Sequence, residues 1–114
     1  MANVFKLKTK ASLTTSLAAV YTVPSSKTAI ILSISLANKT GNSVTASVQV
    51  SSDTSDTETN ADAYLLSTAP VPSGGTLEVM QGNKLVLQTT DVLKAKASTG
   101  SAVDIIVSLM EMDV

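Results

Sequence analysis

Residues 43–51 read Ser43-Val44-Thr45-Ala46-Ser47-Val48-Gln49-Val50-Ser51, and this stretch decides the fold class. Val44, Ala46, Val48 and Val50 alternate with Thr45, Ser47 and Gln49. Successive side chains of an extended strand point to opposite faces, so this period makes one face apolar and the other polar. A helix would scatter the same residues around its circumference. The reading is β.

Outward from this stretch the same period recurs. Residues 4–9 set Phe5, Leu7 and Thr9 against Lys6, Lys8 and Lys10, and residues 16–23 gather Leu17, Ala19, Tyr21 and Val23. Residues 28–37 place Ile30, Leu32, Ile34 and Leu36 on one face and Ile31, Ser33, Ser35 and Ala37 on the other. Further strands are expected at 63–68, 76–80, 84–88, 91–98 and 102–112, about nine in all. Thr40-Gly41-Asn42, Pro72-Ser73-Gly74-Gly75, Gln81-Gly82-Asn83 and Thr99-Gly100-Ser101 supply the turns. The one weak helical candidate, residues 11–20, lacks caps and carries Thr14-Thr15-Ser16, so strand or extended loop is preferred. Many short strands without helices between them predict an antiparallel β-sandwich, jelly-roll or immunoglobulin-like.

The 114 residues suit one domain spanning 1–114, with 1–15 open to reading as an N-terminal arm. Residues 23–28, Val23-Pro24-Ser25-Ser26-Lys27-Thr28, echo residues 71–76, Val71-Pro72-Ser73-Gly74-Gly75-Thr76; similar turns at equivalent corners explain this better than duplication does. Hydrophobic residues make up 44% and charged residues only 15%, against a usual charged share of about a quarter. Sixteen Ser and fifteen Thr fill the gap, and the mean hydropathy is +0.29. Such a surface does little to keep copies apart.

Composition also excludes functions. The net charge is −1 and every basic residue is Lys, so neither a global field nor a guanidinium fork draws nucleic acid. Three aromatics are too few for base stacking, and Phe5, Tyr21 and Tyr64 all read as core residues on alternating strands. No signal peptide or membrane span is visible. With no His and no Cys, the usual general base and the strongest nucleophile are missing. A Ser–Lys dyad would need a buried Lys, and each Lys falls in a turn or on a polar face. No catalytic residue, cofactor site or phosphate-binding loop is assigned, and an enzyme is not expected.

Two acidic or amide features need weighing. In the loop 53–62, Asp56, Glu58, Asn60 and Asp62 recur every second residue, and calcium takes six to eight oxygens. The sharp-turn glycine and distal bidentate Glu of an EF-hand are absent, so a solvated loop is preferred and no metal is assigned. Asn38-Lys39-Thr40 matches a glycosylation sequon but reads as a turn.

What stands out is surplus apolar surface on residues 102–112. Val103, Ile105, Val107 and Leu109 suffice for a core face, leaving Ile106, Met110 and Met112 on the other. Either a loop or the N-terminal arm covers them, or they form an intersubunit seam, which is the preferred reading.

The run Tyr21-Thr22-Val23-Pro24-Ser25-Ser26-Lys27-Thr28-Ala29-Ile30-Ile31-Leu32, followed by Ala37-Asn38 and the valine strand, resembles small virion structural proteins of tailed bacteriophages. So do Asp62-Ala63-Tyr64-Leu65-Leu66, Val71-Pro72-Ser73-Gly74-Gly75-Thr76-Leu77, Gly82-Asn83-Lys84-Leu85-Val86-Leu87 and Asp91-Val92-Leu93-Lys94-Ala95-Lys96-Ala97. The likeness runs from about Ala18 to the C-terminus and rests on turn-and-strand motifs. It implies a β-sandwich made in the host cytoplasm and carried on the virion as capsid decoration or cement, or as a neck or tail adaptor. The implied partners are copies of itself, a trimer being one option, and the major capsid protein or neck and tail components. A sugar- or receptor-binding module is the alternative from another class.

Overall fold

The structure, a computed structural model, describes residues 3–55 and 57–113. The period-two segments form β1 (Asn3–Lys10), β2 (Ala18–Thr22), β3 (Lys27–Asn38), β4 (Val44–Ser51), β5 (Ala63–Val71), β6 (Thr76–Glu78), β7 (Leu85–Leu87), β8 (Val92–Ala97) and β9 (Val103–Asp113). No helix occurs among the described residues; the weak candidate at 11–20 is a loop over 11–17 that runs into the first residues of β2.

The strands pair antiparallel in two sheets, one ordered β1-β9-β3 with β6 and β7 both on the far side of β3, the other ordered β2-β8-β4-β5. Among the named strands only β4 and β5 are sequence neighbours that also pair; β6 and β7 both lie along β3 in the first sheet, and every other connection passes between the sheets. With β6 and β7 counted as one interrupted strand, this is the eight-stranded jelly-roll order. The pairing decides against the immunoglobulin-like alternative.

The core lies between the sheets. β9 contributes Val103, Ile105, Val107 and Leu109, β3 contributes Ala29, Ile31, Ile34 and Leu36, and β8 contributes Leu93, Ala95 and Ala97, all buried. The strict alternation read in β3 breaks halfway. A register shift between Ile31 and Ser33 adds one residue, so the inward set changes from odd to even positions and Ile30 turns outward. A shift between Ala19 and Tyr21 does the same in β2: Tyr21 and Val23 are buried, while Ala19 is exposed opposite Lys94. The two proline turns share a device as well. Each follows a buried valine and sets its third residue left-handed, Ser26 at φ 59° and Gly74 at φ 65°.

The largest correction concerns β1. Its two faces are as read, but their directions are opposite to the expected ones. Phe5 pairs with Met110 and Leu7 with Ser108, which puts both apolar side chains on the outer face of the first sheet. Lys6 and Lys8 lie opposite Leu109 and Val107 on the inner side, where β1 has little beyond β9 to pack against except the edge of β2. An uncovered inner side tolerates lysine.

Candidate assembly face and its supports

Residues directly opposite in antiparallel strands share a face. The registers Phe5↔Met110, Met110↔Ile30 and Ile30↔Val86 therefore make one apolar row across β1, β9, β3 and β7 on the outer face. The ends of the row are most open, Phe5 at 73% and Val86 at 58%, and the middle is half-buried. The adjoining row is Leu7, Ser108 and Ser33, with Leu7 64% exposed. Neither row holds a charged side chain.

Ile106, Met110 and Met112 all lie on this face, as their spacing on β9 requires. Ile106 sits between Thr9 and Ser35 and is 42% exposed, Met110 lies in the apolar row, and Met112 lies between Asn3 and Thr28. The N-terminal strand flanks this face and does not cover it. Sequence reading missed Phe5, Leu7, Ile30 and Val86 as its companions. The face of β1 depends on its partner strand and that of Ile30 on a bulge, and neither is a local signal.

Behind the face, a polar clasp joins the sheets. The Tyr21 hydroxyl of the second sheet donates to Glu111 Oε2 at 2.6 Å, and Lys6 Nζ lies 3.0 Å from Glu111 Oε1. Glu111 is buried, yet its carboxyl is held below its ordinary value of 4.5, first by the Tyr21 hydrogen bond and also by Lys6, against the opposing effect of burial. The Tyr21 phenol is pushed well above 10.0 by burial and by the same carboxylate. At the other end of β9, Asp104 Oδ1 accepts from Ser12 N–H at 2.8 Å and from Lys39 Nζ at 2.9 Å, and its carboxyl is lowered first by Lys39.

These shifts fix a pH dependence. A carboxylate depressed in the folded state stabilises above its unfolded value and loses that contribution as pH falls through the folded one. A raised phenol stabilises below its unfolded value and loses that contribution as pH rises through the folded one. Thermal stability should therefore be flat between about pH 5.5 and 9, falling below about 4.5 and again above about 10. Glu111→Gln should flatten the acid limb in a series of melts; an unchanged limb would place the acid sensitivity elsewhere.

The remaining sequence candidates are positioned as follows. Asn38 is buried, its Nδ2 donating to the Asn42 and Val71 carbonyls at 2.8 and 3.0 Å, which makes the sequon a turn anchor. In the acidic loop, Asp56 lies outside the described residues. Asp62 Oδ1 accepts from Ser51 Oγ and Ser52 N–H, both at 3.0 Å, and a Ser55↔Thr59 bridge pinches the loop. Among the described residues no group of three metal-ligating side chains converges. Adding calcium or a chelator should leave the melting temperature unchanged, and a rise of several degrees with calcium would assign the loop to the ion.

Of the three aromatics read as core, only Tyr21 is buried. Tyr64 is 47% exposed on the second sheet, beside a hollow of about 280 Å³ that Ser47, Thr68 and Lys96 also line. Irregular pairing of β5 with β4 shapes it: Thr68 is left-handed at φ 52° and its N–H donates to Ser47 Oγ at 2.9 Å.

The sequence matches no protein-family model and no curated protein. The fold, however, has solved likenesses. Over 99% of this chain and 98% of the other, it superposes at TM-score 0.52 and 14% identity on a chain of the acidic stable capsid structure of Helicobacter pylori bacteriophage KHP30. A chain of the disulfide-linked pili of Bacillus endospore appendages matches at TM-score 0.51 and 11% identity, over 99% of this chain and 88% of that one. A third, from the T13 viral particle of IBDV, matches at TM-score 0.56 and 10% identity, covering 96% of this chain and 30% of that chain. At such identities the likeness shows a shared fold.

Proposed function

We propose that this chain is a non-enzymatic structural protein of a bacteriophage particle, a decoration or cement protein that binds its shell through the outer face of the first sheet. The observation that carries the reading is the uncharged apolar row from Phe5 through Met110 and Ile30 to Val86, with Ile106 and Met112 on the same face beside it. An isolated soluble chain gains nothing by displaying it. A standard interface buries roughly 800 Å² per partner, and many copies on a lattice make modest contacts cumulative.

The likeness to a phage-capsid chain of nearly the same length supports this reading over a pilus. The pilus relative is described as disulfide-linked, and this sequence has no Cys with which to form such links. Reconstruction of purified virions tests it. The expected result is one jelly roll per site with β1 and β9 turned toward the shell. A chain absent from the particle, or presenting that face to solvent, would overturn the proposal. Density at the neck or tail would select the adaptor role.

One observation favours a second reading, the exposed Tyr64 beside a hydroxyl-lined hollow, since sugars stack on exposed aromatics. Binding to a glycan array that Tyr64→Ala abolishes would establish it.

A further inference from the structure

Four sheet edges are available for contact, and three are blunted. On the far side of β3, β6 and β7 are three residues each. β2 has five residues and a register shift, and β5 has two shifts and Pro70. β1 differs. It pairs with β9 through eight consecutive residues without irregularity, and Val4, Phe5 and Leu7 are exposed along it.

The opposite side of the molecule holds a complementary shape. Between β5 and β7, the two outer strands of the sheets there, runs an open groove of about 260 Å³. Its apolar lining includes Val50, Leu65, Leu85 and Val86, and the loop 52–62 borders it through Ser52 and Asn60. An apolar cavity of about 150 Å³ accepts a benzene ring, so this groove has room for a phenyl side chain. Charge matches as well as shape. β1 carries Lys8 and Lys10 on the same face as Lys6, which is held by Glu111, and the bordering loop carries Asp53, Glu58 and Asp62.

We infer that copies of this chain join head to tail, β1 of one lying along the β5–β7 groove of the next with Phe5 seated against Leu65 and Val86. Pairing of β1 with its own copy is disfavoured. Antiparallel registers that keep the apolar sides together over most of the strand set lysine opposite lysine. A heterologous joint closes into a ring or runs on as a chain. It also continues the apolar row, because Val86 ends the row in one copy where Phe5 begins it in the next. The inference rests on the structural reading above and names the partner that edge takes.

Mixing two defective variants tests it. Phe5→Asp spoils the strand and Leu65→Asp spoils the groove; both positions are exposed, and circular dichroism checks that each variant folds. By sedimentation, wild type should associate and each variant alone should be monomeric, at least a hundred-fold weakened. The equimolar mixture should form a dimer and nothing larger, since one intact joint remains. A monomeric wild type, either variant associating as wild type does, or a mixture that stays monomeric would overturn the joint. Lys8→Glu and Glu58→Lys should each weaken association and together restore it; failure of the pair to restore removes the charge match. The shell-binding reading is scored separately, by Ile106→Asp on particles, because Ile106 lies outside both the strand and the groove.

Discussion

Replacing Glu111 by Ala is expected to cost about 3 kcal/mol of folding stability, the largest single effect anticipated for a side chain outside the apolar core. Two losses combine. The Tyr21 hydroxyl, buried and bonded at 2.6 Å, loses its acceptor. A hydrogen bond to a charged group contributes about 1.5–3 kcal/mol, and a buried donor left unmade costs about 1–3 kcal/mol. Lys6 also loses its carboxylate, but this matters less because the lysine side chain is 40% exposed. Urea unfolding should show the midpoint falling by about 1–2 M with little change in slope. Glu111→Gln keeps an acceptor for Tyr21 and should lose about half as much. A loss under about 1 kcal/mol for Glu111→Ala would mean that the clasp does not hold the sheets together.

This clasp illustrates what the sequence could and could not disclose. The nine strands were legible because period two and turn residues are local signals, and they agree along nearly the whole chain. The core face of β9 was legible for the same reason: Val103, Ile105, Val107 and Leu109 are buried as spaced. What failed was phase. Leu32 adds one residue at a bulge, so alternation read straight through β3 assigns Ile30 to the core when it faces outward. No composition signal marks that insertion.

The direction of β1 was hidden for a different reason. Apolar Phe5 and Leu7 against three lysines predict burial of the apolar side when a strand has one covered face. Here the strand lies at a sheet edge, and its orientation follows from pairing with β9, some hundred residues along the chain. That register sets Lys6 near Glu111 and Phe5 beside Met110. Of the candidate face, then, the β9 half could be read from spacing. The half on β1, β3 and β7 required the pairing.

Replacing Ile106 by Asp is expected to leave a folded chain that no longer decorates particles, with shell affinity reduced a hundred-fold or more. Burying an unpaired carboxylate at an interface costs several kcal/mol, and about 2.7 kcal/mol already corresponds to a hundred-fold. The fold should lose much less. Ile106 is 42% exposed and its cross-strand neighbours are Thr9 and Ser35, so the new carboxylate stands in water beside two hydroxyls in the free chain. Val103, Ile105, Val107 and Leu109 keep their places between the sheets. Surface substitutions of this kind usually change stability by about 0.5 kcal/mol or less, and Asp in a strand adds a penalty of up to about 1 kcal/mol. Met110→Asp makes the companion measurement. Met110 is half-buried between Phe5 and Ile30, so it should lose both binding and some stability, where Ile106→Asp loses binding alone. Co-sedimentation with particles lacking the protein reads the first quantity and thermal melting the second. If Ile106→Asp binds as wild type does, the outer face is not the shell contact. If it unfolds outright, that residue supports the fold itself and the division of β9 into a core face and a docking face is wrong.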